Sequence, residues 1–221
     1  MWRTSTVYSA LEAIFEALSS AIPEKLMAPS GTYPLWGSIF RGEHDDGRPF
    51  VAHFNAQGGQ GARYGKDGVA TTVFPPNVMN TPVEMFEAET PIVCEHKMLV
   101  QDSGGAGRQR GGNGQQIAMR NLGVHPIVAS IIGGRLDEGA RGLSGGKQGA
   151  TGGIRLNGDK LPRSRQVVLQ PGDRIELTYP GGGGFGDPVE RDRDAILADI
   201  ASGAISHEAA IRDYGLSRDA L

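Results

Sequence analysis

Residues 179–188 read YPGGGGFGDP, and the reading of these ten residues decides the fold. They follow a run of strand-like composition, Arg174 to Tyr179, and Gly181 to Gly186 match the G-x-G-x-x-G fingerprint of dinucleotide-binding folds. That fingerprint works only where the loop opens straight into a helix facing the phosphates and a βαβ unit then supplies an acid about 20 residues later. Here 35 residues remain, and they read as two helices with no returning strand. The stretch is therefore read as a tight structural loop. A nicotinamide-dependent enzyme stays as a third reading, to be tested by titration with NAD.

Working upstream, short strand candidates lie at Gln116 to Arg120, Ile127 to Ile132, Gly153 to Leu156, Gln166 to Leu169 and Arg174 to Tyr179. Turn pairs such as Asn157-Gly158 and Pro171-Gly172 separate them, and no helical pattern of 10–15 residues intervenes, which argues against repeated βαβ units. Earlier still, Ile92, Cys94, Met98 and Val100 are placed on one face of a strand. In the run Arg48 to Ala56, Phe50, Ala52 and Phe54 share one face while Val51, His53 and Asn55 share the other. At the N-terminus, Leu11, Ile14, Phe15, Leu18 and Ile22 form one helical stripe within Ser5 to Ile22, stopped by Pro23. At the other end, Asp187, Pro188 and Glu190 have the form of a helix start leading to Gly203, and a shorter helix closes at Gly215. The expected fold class is α+β: a β-rich centre of short strands with an N-terminal helix and a helical C-terminal segment over 187–221. No linker marks a domain boundary, so 1–221 is treated as a single region.

Composition fits this. The chain has 221 residues, 34 of them glycine and 13 proline, a net charge of −3 and one cysteine, Cys94. Glycine and proline together make roughly a fifth of the chain, below the roughly 25–30% of low-complexity sequence. No basic field suits nucleic acid, no apolar run approaches the roughly 20 residues that span a bilayer, and a lone cysteine forms no internal disulfide. The expectation is a cytoplasmic protein that binds neither nucleic acid nor membrane. Charge is uneven: residues 101–165 hold ten Lys or Arg against four acids, and residues 166–221 hold five against ten.

Candidate chemistry is sparse. Gly142 to Gln148, GLSGGKQ, fails as a phosphate loop because Arg141 replaces its first glycine and Gln148 supplies no hydroxyl for magnesium. The five histidines show no i, i+4 pair, so no metal ligand is assigned. His96 is placed on the apolar face of its strand as a core residue, and Cys94 is read as a packed small hydrophobe. His53 ends a strand beside the glycine-rich loop Gln57 to Gly68, QGGQGARYGKDG, whose backbone amides could meet a carboxylate, phosphate or oxyanion. The alternative is that these glycines only make turns. A second block, Ser103 to Gly114 with Arg108 and Arg110, allows an anion in the same way or solvated turns.

Three phrases in order, NTPVEMFEAE from Asn80, DSGGAGRQRGGNG from Asp102 and YPGGGGFGDP from Tyr179, together with the earlier GGQGARYGKDG, make residues 45–215 resemble the hydantoinase B/oxoprolinase family. Members serve in ATP-dependent hydrolases of N-methylhydantoin and 5-oxoproline and in acetone-type carboxylases. They are more than twice this length, and the resemblance is to their C-terminal portion. It implies that the divalent-metal site belongs to the N-terminal portion on another chain, and that ATP and magnesium act on a hydantoinase A-like subunit. No cofactor is then bound by this chain, and the working enzyme is a hetero-oligomer. Many amide-hydrolysing relatives carry histidine within the stretch Val69 to Met79, and this chain has none there, which leaves ketone carboxylation open beside cyclic-amide hydrolysis. The implied substrate-facing residues are Gly58, Gly59, Gly61, Ala62 and Arg63, with His53 nearby and Asn80, Thr81 and Glu84 bracing the loop. No residue is singled out as catalytic. The competing expectation is an assembly module that contributes surface and no chemistry.

Overall fold

The computed structural model describes residues 2–32, 36–72, 74, 78–162 and 166–217, with residues 2–5 described by their backbone. The proline pair at 75–76 lies outside these. In chain order the elements are helix α1 (Trp2–Leu18), strands β1 (Gly37–Glu43) and β2 (Pro49–Phe54), helix α2 (Val83–Glu89), strands β3 (Ile92–Leu99), β4 (Gln115–Asn121), β5 (Ile127–Ile132), β6 (Gly153–Leu156), β7 (Asp159–Lys160), β8 (Gln166–Leu169) and β9 (Arg174–Thr178), and helices α3 (Arg193–Ala201) and α4 (His207–Tyr214). The α+β class read from the sequence is what the structure shows. Every strand pair is antiparallel, in one sheet of order β2-β1-β5-β8 and another of order β3-β4-β9-β6-β7.

The two sheets bury one apolar cluster between them. Phe40, Ala52, Phe54, Ile127, Ala129, Ile131 and Leu169 come from the first sheet, and Ile92, Ile117, Met119, Ile154, Ile175 and Leu177 from the second. Alternation built this core, as β2 shows: Phe50, Ala52 and Phe54 are buried while Val51 and His53 are exposed. Strand β1, the partner of both β2 and β5, escapes the sequence reading because Gly37, Ser38 and Gly42 interrupt its apolar pattern. Its hairpin to β2 turns at Asp46-Gly47, where Gly47 takes φ +80°. Helix α2 is missed because seven residues carry one buried anchor, Phe86.

Three placements differ from the sequence reading. Strand β3 is bulged between Cys94 and His96. The extra residue, Glu95, resets the alternation, so Lys97 rather than Met98 lies opposite the buried Ile117. His96 is thereby turned to the outer face, 3.3 Å from Gln116, and is not a core histidine. In α1, Ile14 and Leu18 are exposed, and only Leu11, Phe15 and Ile22 of the expected stripe are partly buried. At the C-terminus, Asp187 caps a short 3-10 turn over Pro188–Glu190, and α3 begins only after its own cap, Asp192.

The glycines do more than turn the chain. Residues 180–186 run through a bundle of extended segments and take backbone hydrogen bonds from three of them: Gly59 and Ala62 of one loop donate to the Pro180 and Gly183 carbonyls, Gly105 to Gly182 and Leu143 to Gly184. Methyl groups on the four consecutive glycines would meet backbone carbonyl oxygens of Ser103 at 1.7 Å (Gly181), Gln60 at 2.0 Å (Gly182), Arg141 at 1.9 Å (Gly183) and Ala106 at 2.1 Å (Gly184). Positions 181 and 184 therefore face the same neighbouring segment, a repeat of three residues. That is the period of the polyproline II helix, and when such chains pack closely together, as in the collagen triple helix, only glycine fits at the crowded axis. Their φ angles are not positive. Close approach, not backbone freedom, demands glycine here.

Candidate functional site

Strands β2 and β3 are edges of their respective sheets, and α2 packs against both. Phe86 anchors it edge-on to Phe40 at 5.2 Å and to Phe54 at 5.0 Å. Glu87 of α2 accepts a hydrogen bond from the Cys94 amide at 2.7 Å. The chain leaving β2 and the chain entering α2 are knitted together across this seam. The Asn80 side-chain oxygen accepts from the Gln57 amide at 3.0 Å and from the Gln115 side chain at 2.8 Å, while its nitrogen donates to the Thr71 carbonyl. Thr81 and Asn55 exchange two bonds, Asn55 N to Thr81 Oγ1 at 2.8 Å and Thr81 N to Asn55 O at 2.7 Å. Gln115, itself buried, also donates to the Gln57 carbonyl. Asn80 and Thr81 thus fix the start of the glycine-rich loop.

One cation completes the seam, and the sequence pattern held no sign of it. The Lys97 ammonium donates to the Thr81 carbonyl at 3.2 Å and stands 5.7 Å from the centre of the Phe54 ring. Burial holds its pKa below the usual lysine range, against the opposing pull of Cys94 and Glu84. Burial pushes the Cys94 thiol up, and the nearby Glu87 charge adds to this, so Cys94 is a poor nucleophile at neutral pH. Glu84 lies exposed on the first turn of α2. His53 stands exposed on the outer face of β2, opposite the buried Phe54 face, and does not join this group.

The loop amides are engaged inside the chain. Gly58 N donates to Thr32 Oγ1 at 2.7 Å, Gly59 N to Pro180 O at 2.9 Å, Gly61 N to Ser30 Oγ at 3.4 Å and Ala62 N to Gly183 O at 2.8 Å. All four residues are buried, whereas the Arg63 side chain is exposed. From Gln57 at the seam the loop runs to Lys66 and Asp67, which line an open cleft of about 550 Å³ together with Arg108, Glu190, Arg191 and Asp192.

At the floor of that cleft lies an ion-pair chain joining residues far apart in sequence. Arg191, whose side chain is 3% exposed, holds both oxygens of Asp67 at 2.8 and 2.7 Å and an oxygen of Asp199 at 2.7 Å. Arg110 reaches the same Asp199 at 3.2 and 3.3 Å. Burial drives the Asp67 carboxyl up, but the hydrogen bond and charge of Arg191, helped by Arg110, overcome this and hold it below the usual carboxylate range. Arg191 also lies 6.0 Å over the Tyr214 ring of α4, and burial pushes the Tyr214 hydroxyl up to about 12. Arg110 is therefore consumed internally. The uneven charge along the chain has the same explanation, since Arg108, Arg110 and Lys147 pair with Glu190, Asp199 and Asp213.

Among the described residues no three His, Cys, Asp or Glu side chains are grouped to hold a metal ion. No helix among them is long and apolar enough to cross a membrane.

Comparison with known proteins places this geometry. The chain is 27% identical over 214 residues to the B-type subunit of a putative D-/L-hydantoinase from Pseudomonas sp. strain NS671, covering 93% of this chain and 35% of the relative. The ATP-dependent caprolactamase of Pseudomonas jessenii superposes with a TM-score of 0.76 at 26% identity, over 92% of this chain and 38% of that one. A nucleotide-free acetone carboxylase shares the fold, with a TM-score of 0.75 at 20% identity over 92% of this chain and 33% of its own. The chain spans about a third of the length of each. The hydantoinase B/oxoprolinase model matches residues 1–188, reaching back over α1 and stopping before α3 and α4, and the chain belongs to that family.

Proposed function

We propose that this chain forms one part of a hydantoinase B-type subunit in an ATP-dependent cytoplasmic enzyme that hydrolyses a cyclic amide or carboxylates a ketone. The observation that carries this reading is the fold match to the ATP-dependent caprolactamase across 92% of the chain, joined to the family match over residues 1–188. On this reading, ATP and magnesium act on a hydantoinase A-like partner, and a divalent metal is held by the portion of the subunit that this chain does not correspond to. The chain's share is to wall the substrate site with the β2–β3 seam and the loop from Gly58 to Arg63. The glycines shape that wall, Asn80 and Thr81 brace it, and Arg63 and Glu84 present charge from it. His53 has no direct part.

A second reading, assembly without chemistry, is favoured by the internal engagement of the loop amides. Reconstitution separates the two. The partner subunits are combined with wild-type chain, Arg63→Ala or Glu84→Ala, and ATP-dependent turnover of a lactam and of acetone is followed. Loss of a charge-assisted contact to substrate predicts a fall in kcat/KM of about tenfold or more in complexes that still assemble. Complexes that form normally and turn over at the wild-type rate would support the assembly reading instead.

A further inference from the structure

The seam carries a solvent-exposed cation on the inner face of β3, and among the described residues no acid pairs with it at close range. Lys97 forms no ion pair within 4.0 Å among the described residues. Of its three donors one is used, by the Thr81 carbonyl. Its approach to Phe54 supplies a ring face but no hydrogen-bond acceptor of ordinary strength. The titratable groups facing it are Glu84 from α2 and Cys94 from its own strand, both acting at longer range. Leu99, on the same face two residues on, is an exposed apolar side chain at 54%, and Met79, two residues before Thr81, is 81% exposed. The bulge at Glu95 is what turns this lysine inward.

Building on the function proposed above, we propose that Lys97 anchors an anionic oxygen of the substrate, a carboxylate or phosphoryl group attached to an apolar chain or ring. Thr81, fixed to Asn55 by two hydrogen bonds, holds the ammonium in place; Phe54 keeps one side of it dry. An incoming anionic oxygen takes the donors that the protein leaves open and forms a charge-assisted bond in a partly desolvated site. No bond is made or broken in this step. Lys97 acts as a binding residue.

The first test needs no turnover. The full chain is exposed to an amine-acylating reagent near pH 8, and modification at each of its five lysines is quantified by mass spectrometry, alone and with millimolar inorganic phosphate or acetate. The expected result is that one anion slows acylation of Lys97 at least severalfold and leaves Lys25 and Lys160 unaffected. Protection by phosphate identifies a phosphoryl site and protection by acetate a carboxylate site. Equal rates with and without both anions would overturn the proposal.

The second test uses the reconstituted complex. Lys97→Met should raise KM about tenfold or more with kcat changed less, and Lys97→Arg should restore most of the loss. An unchanged KM for Lys97→Met in an active complex overturns the Lys97 assignment and leaves the proposed function standing. Anion protection in a chain whose complexes turn over neither lactam nor acetone retains the site and removes the proposed reaction.

Discussion

Gly59 shows what single residues contribute here. Its backbone lies so close to another segment that a methyl group would sit 1.7 Å from the Gly112 carbonyl oxygen, with Gly182 N at 2.8 Å. Both obstacles are backbone, tied by their own hydrogen bonds, so neither yields as a side chain would. Gly59→Ala is therefore expected to cost well over the roughly 1–3 kcal/mol typical of overpacking and to abolish soluble expression or two-state melting. Gly65, seven residues from the buried Gly58, is the control. It takes φ +69° with nothing within 4 Å of the added methyl, and alanine there should cost only about 1–2 kcal/mol, a fall in melting temperature of several degrees. Comparable melting of the two variants would refute the packing argument. This distinction was not legible in the sequence, where both glycines sit in one polar loop. Composition reports that glycine is frequent, but only the position of other backbones says which glycines turn the chain and which make room. The bulge has the same character: an extra residue in a strand leaves the apolar spacing looking regular, and Lys97 and His96 exchange faces unseen.

At the level of elements, the strands of the centre were readable, since Ile127–Ile132, Gly153–Leu156 and Gln166–Leu169 announce themselves by apolar alternation between glycine turns. The attachment of α3 and α4 was not, because it depends on Asp67, Arg110, Arg191 and Asp199 meeting across more than a hundred positions. Replacing Arg191 by Met leaves the partly buried Asp67 without its ion-pair partner and leaves Asp199 with Arg110 alone. Removing one partner of such a set costs about 3–5 kcal/mol. The loss should fall first on the C-terminal helices, as faster limited proteolysis within residues 187–217 before any change in the sheets. The same network sets an acid limit. The folded state holds the Asp67 carboxyl below its ordinary value of 3.8, so the stabilisation is complete above that pH and is lost as pH falls below it. Asp67→Asn should lower stability at neutral pH and flatten the decline of melting temperature between about pH 4 and pH 2. A decline as steep as the wild type's would assign the acid sensitivity to other carboxylates.

For the molecule as a whole, the question is whether the glycine-rich bundle is a separate body laid against the two sheets or part of one cooperative unit. The connections favour unity. Segment 180–186 continues directly from β9, Tyr179 N donates to Gln115 O of β4, and Gly114, which leads into β4, accepts from Val100 just past β3. These segments enter or leave strands of the sheets, and separating the bundle would expose backbone donors and acceptors now paired within it. Helix α1 is attached differently. It rests on partly buried Leu11 and Phe15 and on ion pairs from Glu12 to Arg135 and from Glu16 to Arg141, with Val7 64% exposed. Native-state hydrogen exchange should then divide the chain unevenly. Amides of Gly59, Gly105 and Gly182 are expected to exchange only through global unfolding, with the same free energy as those of β4 and β9, whereas α1 should open at several kcal/mol less. Exchange of the glycine amides at an intermediate free energy, insensitive to denaturant while the sheets stay protected, would make the bundle a detachable layer. The Gly59→Ala variant would then keep its sheets and lose only the wall beside the seam.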